Sequence, residues 1–134
     1  MSTSKEKVAD SWKYTGYLEP EDIELPTRDR IRRGPCAVVE CPQRIPCDPC
    51  AAHCPVGAIK IEDINEKPKI DYQKCTGCSI CVQHCPGLAV FVIDCSPEEG
   101  CDITLPYEFP LPEVGEKVAG LNRKGEKITE GAVV

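Results

Sequence analysis

The 134-residue chain lacks any long apolar run: the longest, Leu88 to Ile93, is six residues, where a bilayer needs about 20. Membrane insertion is therefore not expected. Aromatic side chains make up only 5% of the chain, too few for a large apolar core, and the length leaves no room for an enzyme with a substrate domain of its own. Basic residues are missing between Asp94 and Glu116, a stretch that holds seven acids. With a net charge of -6, nothing draws the whole chain toward nucleic acid or an anionic membrane. The opening residues Met1 to Glu6 show no apolar stretch of signal-peptide type, so a cytoplasmic protein is expected.

What the chain has in abundance is cysteine, 11 residues, together with 13 prolines and 10 glycines. At that density cysteine chemistry becomes the framework of a small, loop-rich protein. The odd count and the expected reducing compartment argue against a disulfide scaffold. Ten of the cysteines fall between Cys36 and Cys95, which divides the chain into an arm over 1–35, a dense segment over 36–95 and a tail over 96–134. The arm holds Trp12, Tyr14 and Tyr17, three of the seven aromatics, and reads as a docking segment. It also carries Arg28, Arg30, Arg32 and Arg33, four of the six arginines, either a solvated loop or a contact to an acidic partner surface. The tail reads as an acidic linker followed by a hairpin, with Asn122, Gly125 and Gly131 separating the runs Val118 to Leu121 and Glu126 to Thr129.

Within the dense segment the sequence repeats with an offset of 31: Cys47, Cys50, His53, Cys54 and Pro55 recur as Cys78, Cys81, His84, Cys85 and Pro86. A repeat of this kind implies two similar halves, each a cysteine loop, a short helix and a strand. Strands are expected over Ala37 to Glu40, Ala58 to Glu62, Lys69 to Asp71 and Ala89 to Ile93, with helical turns around Cys50 to Cys54 and Ser79 to His84.

The second copy, Cys75, Cys78, Cys81, Cys85 and Pro86, spells C-x2-C-x2-C-x3-C-P. Three thiolates two residues apart on a tight loop can each take one iron of a cube, while Gly77 lets backbone amides turn inward. The run resembles that of two-cluster bacterial ferredoxins, and the resemblance covers roughly residues 36–95. In that family the fourth cysteine of each run serves the other cluster. The resemblance therefore implies one 4Fe-4S cluster on Cys75, Cys78, Cys81 and Cys54, and a second on Cys47, Cys50, Cys85 and one cysteine more. An unbroken motif would place that last ligand at position 44, which is Arg44. The choice falls on Cys41, whose loop closes at lower entropic cost, with Cys36 as the alternative. The implied fold is α+β, a ferredoxin-like pseudo-twofold two-cluster domain with short helices and small antiparallel sheets, an extended N-terminal arm and a small β tail.

Zinc is the competing metal, but a tetrahedral site has no use for the third and fourth cysteines of such a run. His53 and His84 each precede a ligand cysteine, yet eight thiolates already serve two cubes; shielding or hydrogen bonding near the clusters is the expected role. Cys36, Cys95 and Cys101 are left over and are expected as ordinary thiols, with a third metal site or a redox disulfide as the alternatives. Two cubes would take the net charge from -6 to about -10.

A closer resemblance runs through Arg33, Gly34, Pro35, Cys36, Ala37, Val38, Val39, Glu40, Cys41 and Pro42, on through Ile45, Pro46, Cys47, Asp48, Pro49 and Cys50, and into the tail from Asp102 through Pro112 and Val118 to Leu121. These stretches are similar to the small ferredoxin-like subunits of multi-subunit FAD-dependent amino-acid dehydrogenases of the proline and hydroxyproline type. Cys36, Cys95 and Cys101 depart from that pattern. The resemblance implies a chain with no catalysis of its own that relays single electrons in a hetero-oligomer with flavoprotein subunits, in an anaerobic or oxygen-protected cytoplasm. The 74 residues outside 36–95 exceed what a freely diffusing ferredoxin needs. A free ferredoxin is the alternative, and a zinc-stabilised interaction module a third.

Overall fold

The computed structural model describes residues 12–42, 44, 46–98, 100–122 and 124–134. The first eleven residues of the expected arm, and Gln43 and Ile45 in the lengthened cysteine loop, lie outside the described residues. In chain order the elements are α1 (Trp12–Thr15), a 3-10 turn (Pro20–Asp22), α2 (Arg28–Arg33), β1 (Cys36–Val39), α3 (Pro49–His53), β2 (Ile59–Lys60), β3 (Lys69–Ile70), α4 (Ile80–His84), β4 (Val90–Asp94), β5 (Asp102–Thr104), β6 (Lys117–Leu121) and β7 (Lys127–Ala132). They form two units, one of Ile23–Pro106 and one of Met1–Asp22 with Tyr107–Val134.

In the first unit, the β-branched runs of β1 and β4 pair antiparallel, Cys36 opposite Ile93 and Val39 opposite Val90. Pairing puts Ala37, Val38, Val90 and Val92 out of water, and each fully buried valine is worth about 2 kcal/mol. β2 and β3, two residues each, pair antiparallel across the connection 61–68, Ile59 opposite Ile70. These strands are shorter than the sequence suggested because the chain bends at once beyond them: Asp63 accepts at Oδ1 from the Asn65 amide (2.9 Å) and at its carbonyl from the Glu66 amide (2.8 Å). The core cluster also takes in Ile59, Val82, Cys50 and Cys81, with Cys54, Cys75 and Cys85 packed against it. Much of the interior is therefore sulfur rather than hydrocarbon.

Helices α3 and α4 sit where the repeat places them, one offset of 31 apart. Pro49 at the start of α3 supplies a preset φ where no amide partner is needed. Pro55 and Pro86 follow the two helix ends and forbid their continuation.

Two elements of this unit depart from the sequence reading. The arginine-rich stretch forms helix α2, capped by Thr27, whose Oγ1 accepts from the Arg30 amide at 3.2 Å. Arg30 points inward and is buried, while Arg28, Arg32 and Arg33 are exposed, so the four do not form one surface patch. β5 adds to the far edge of β4, with Ile103 opposite Ile93, inside what read as an acidic linker. Cys95 and Cys101, expected as free thiols, are joined in a disulfide that closes the loop between β4 and β5. The unit thus extends beyond 36–95 on both sides, since α2 and β5 both belong to it.

In the second unit, β6 and β7 form the expected hairpin, Lys117 opposite Ala132, with an irregularity at Gly120 and Leu121. Asn122 turns the chain by accepting at Oδ1 from the amides of Lys124 (3.0 Å) and Glu126 (2.9 Å). An exposed Lys127–Glu130 ion pair at 2.6 Å adds little. Ahead of the hairpin, Tyr107, Phe109, Leu111 and Val114 are all exposed, Leu111 and Val114 at 80%.

Candidate functional site

The eight cysteines of the two runs sort into two sets of four. Cys41, Cys47, Cys50 and Cys85 line one cavity of the first unit, together with Val39, Val90 and Glu66. Cys54, Cys75, Cys78 and Cys81 line a second, together with Ala37 and Ile59. Each set holds three cysteines of one run and one of the other. Cys36 is on neither wall; it is 0% exposed within β1.

The exchange follows from backbone geometry at the helix ends. Cys50 and Cys81 lie inside α3 and α4, whereas Cys54 and Cys85 are the residues just past them, both extended (φ -69°, ψ 113° and φ -75°, ψ 112°). An extended residue after a helix carries its side chain off the helix's own face, toward the neighbouring loop. The sulfurs then meet backbone donors: the Ala58 amide donates to Cys54 Sγ at 3.3 Å and the Ala89 amide to Cys85 Sγ at 3.4 Å. The two bonds are again 31 residues apart. The Ala37 amide donates to Cys75 Sγ at 3.3 Å, which ties the second set to strand β1.

The loop that carries Cys75, Cys78 and Cys81 requires Gly77. Its φ is +70°, and an added Cβ would strike the ring and carbonyl carbon of Pro35. Ser79 also takes a left-handed conformation, φ +68°, immediately before α4, so the chain coils tightly enough to set three sulfurs on one side.

The charge environment suits thiolates that are compensated by metal. Burial pushes the Cys50 thiol up, opposed by the Ala51 amide and reinforced by Cys85, Cys41 and Cys47. Burial likewise pushes Cys81 up to about 11, with Cys75 and Cys78 adding to the effect. Burial also acts upward on Cys54, but the amides of Ala58, Val56, Ile59 and Gly57 outweigh it and the thiol falls below its ordinary value. The raised thiols of Cys50 and Cys81 resist ionisation until positive charge enters beside them, so metal entry there is coupled to proton release.

Among the described residues no three His, Cys, Asp or Glu side chains are grouped to hold a single metal ion. A 4Fe-4S cube asks for something different, four thiolates on four separate irons and hence a wider ring. Four sulfurs around a cavity, with amides aimed at them, fit that group. The neighbouring histidines take no part in either wall: His53 and His84 stack on one another, centroids 3.8 Å apart, and His53 Nδ1 lies 2.9 Å from the Pro49 carbonyl. A roomier cavity of about 210 Å³ over the β2–β3 hairpin is walled by Lys60, Glu62, Lys67, Lys69 and other charged groups and contains no thiol.

Sequence reasoning overlooked the inward-facing Arg30 and the sulfur-bound amide of Ala37. The paired amides of Ala58 and Ala89 were signalled by the repeat, which matches those positions. No local pattern marks Arg30.

Comparison with known families matches residues 34–89 to the 4Fe-4S dicluster domain. Comparison with curated proteins and with solved structures returned no match. The matched segment supports a ferredoxin-type, iron-sulfur, electron-transferring chain, and it contains all eight cysteines of the two cavities. No helix among the described residues is long and apolar enough to cross a membrane.

Proposed function

From this ferredoxin-type 4Fe-4S segment, we propose that the chain is the electron-transfer subunit of a larger flavin-dependent amine or amino-acid dehydrogenase, working in the cytoplasm. Cys41, Cys47, Cys50 and Cys85 hold one 4Fe-4S cluster, and Cys54, Cys75, Cys78 and Cys81 hold the other. When bound, each cube accepts and gives up one electron at a time. The carrying observation is the division of eight thiols between two cavities, each completed by a cysteine from the other run.

The residues of the chain do three things in this reading. The thiolates fix the irons, the amides of Ala37, Ala58 and Ala89 stabilise charge on the sulfurs, and the valines of β1 and β4 keep water from the inner walls. The 31-residue repeat, with α3 and α4 one offset apart, supports a pseudo-twofold relation between the halves that would hold the two clusters. No group of the chain does substrate chemistry; the flavin subunit oxidises the substrate.

Membership of a complex is supported by the exposed apolar side chains from Tyr107 to Val134. Such a surface is more than a diffusing carrier needs, and apolar groups at 80% exposure are the kind that partners cover. The deciding experiment is an anaerobic pull-down of the full chain from its native cells, with iron, sulfide and flavin assays of the product. A stoichiometric flavoprotein and about eight irons per chain are expected. A lone brown protein with the same iron would leave a free ferredoxin; a colourless zinc protein would overturn the cluster reading itself.

A further inference from the structure

Arg30 occupies an unusual place for an arginine of a short surface helix. It is 8% exposed, and its guanidinium is spent entirely on main-chain carbonyls. Nε donates to Tyr72 at 2.5 Å, Nη1 to Gly34 at 3.1 Å, and Nη2 to Pro35 at 3.1 Å and to Cys75 at 2.7 Å. These four bonds engage four of the guanidinium's five N–H donors, and the carbonyls that accept them bring no net charge. No carboxylate of the described residues forms an ion pair with it, and a buried cation without an anion is costly.

The negative charge that would balance it belongs to the neighbouring site. Cys75, whose carbonyl Arg30 holds, lines the cavity shared with Cys54, Cys78 and Cys81, and the next chain segment, Pro35 to Ala37, is tied to Arg30 at one end and to Cys75 Sγ at the other. The same guanidinium acts to lower the thiol of adjacent Cys36 against the upward push of burial.

We infer that Arg30 is the built-in counter-charge of the cluster held by Cys54, Cys75, Cys78 and Cys81, and that it raises the reduction potential of that cluster selectively. The inference rests on the ligand sets proposed above. A cube with four thiolates is anionic and gains one more negative charge on reduction, so a fixed cation in a poorly screened interior stabilises the reduced form more than the oxidised one. Arg30's bonds reach Cys75 and none of the residues lining the other cavity, whose wall carries the acidic Glu66. Arg30 is thus a positioning and tuning residue, acting through its field and through the Cys75 carbonyl.

The test is an EPR-monitored redox titration of the anaerobically loaded full chain as wild type, Arg30→Gln, Arg30→Lys and Arg33→Gln, the signals being assigned with Cys78→Ser and Cys47→Ser. Arg33 is exposed on the same helix and bonded to Gln73, so it controls for surface charge. Arg30→Gln should move the midpoint of the Cys75 cluster to more negative potential and leave the other unmoved, with Arg30→Lys closer to wild type and Arg33→Gln without effect. Selective loss of the Cys75 cluster from Arg30→Gln, with retention in Arg30→Lys, carries the same meaning, since the lysine keeps the charge and loses the fork. Unchanged midpoints, equal changes or equal losses at both clusters, or a lysine variant no different from the glutamine one would overturn the inference and leave Arg30 a scaffold residue. A wild-type chain that forms no 4Fe-4S signal under these conditions would instead sink the proposed function.

Discussion

His53 and His84 stack nearly parallel, with ring centroids 3.8 Å apart and planes inclined by 8°. One closes α3 and the other closes α4, and each stands immediately before the cysteine that leaves its helix for the opposite cavity. The stack therefore clips together the two points at which the ligand sets exchange. Aromatic pairs of this kind contribute about 0.5 to 1.5 kcal/mol, and both rings are exposed, which favours the lower end. A double-mutant cycle on His53→Ala and His84→Ala, read from thermal loss of visible absorbance in the loaded protein, should give a coupling of about 0.5 kcal/mol. Additive single variants would show that the stack contributes nothing to holding the helices.

The crossing of ligands makes a second prediction that runs against chain proximity. Cys54→Ser should remove the cluster of Cys75, Cys78 and Cys81 and spare the one on Cys47 and Cys50, its own neighbours in sequence. Cys85→Ser should do the reverse. Iron should fall from about eight to about four per chain in each variant, with EPR of the cysteine variants telling the survivors apart. Loss of the neighbouring cluster in each case would return both ligand sets to their own runs.

Gly77 gives the tightest steric test of the second cavity. Both Gly57 and Gly77 have positive φ, +64° and +70°, but an added Cβ at Gly57 meets open space whereas one at Gly77 meets Pro35. Gly57→Ala should cost about 1 kcal/mol, the backbone penalty alone, and leave both clusters intact. Gly77→Ala carries that penalty and a collision with the segment that Arg30 and Ala37 hold, so it should cost at least about 3 kcal/mol and release the Cys75 cluster first. Iron content and thermal midpoints of the two variants, measured side by side, decide this.

The parts of the fold that could be read from sequence are those in which local pattern and tertiary role coincide. α3 and α4 follow from a 31-residue repeat with prolines at their ends, and β1 and β4 from short β-branched runs that need burial. α2 is different. Its only large apolar residue is Ile31, so it has no hydrophobic stripe to detect, and what anchors it is Arg30 bonding to carbonyls as far away as Tyr72 and Cys75. β5 was hidden for a related reason: all three residues from Asp102 to Thr104 are exposed, and its place is set by pairing with the free edge of β4 and by the Cys95–Cys101 bond rather than by apolar alternation. Both elements are fixed by contacts that sequence spacing does not display.

The disulfide supplies a prediction about that edge. Cys95 and Cys101 are six positions apart, and closing so short a loop in the unfolded chain is worth about 2 kcal/mol in the chain-entropy picture. Neither sulfur lines either of the two thiol cavities, so the double variant Cys95→Ser, Cys101→Ser should keep all its iron. Its effect should appear as faster amide exchange in Ile103 and Thr104 and little change at Val90, which pairs with β1 alone, or at Val92, which pairs with β1 as well as β5. Loss of iron on removing this bond would assign the two cysteines to a metal after all.

The choice between Cys41 and Cys36 turns on what each sulfur faces. Cys36 is packed at 0% exposure in β1, opposite Ile93; burial pushes its thiol up, while Arg30 draws it the other way. Cys41 lies past the strand end on the wall shared with Cys47, Cys50 and Cys85. To reach that wall Cys36 would have to leave the strand register, giving up the first pair of the β1–β4 ladder and the close packing of Ala37 and Val38. Cys36→Ala should therefore retain about eight irons and lose only about 1 kcal/mol through the small cavity left by sulfur. Cys41→Ala should lose the cluster of Cys47, Cys50 and Cys85, or leave it as a three-iron species with a distinct oxidised EPR signal, because one corner of the cube then has no thiolate. The opposite pattern, with iron lost from the Cys36 variant and kept in the Cys41 variant, would mean that binding iron reorganises the start of β1.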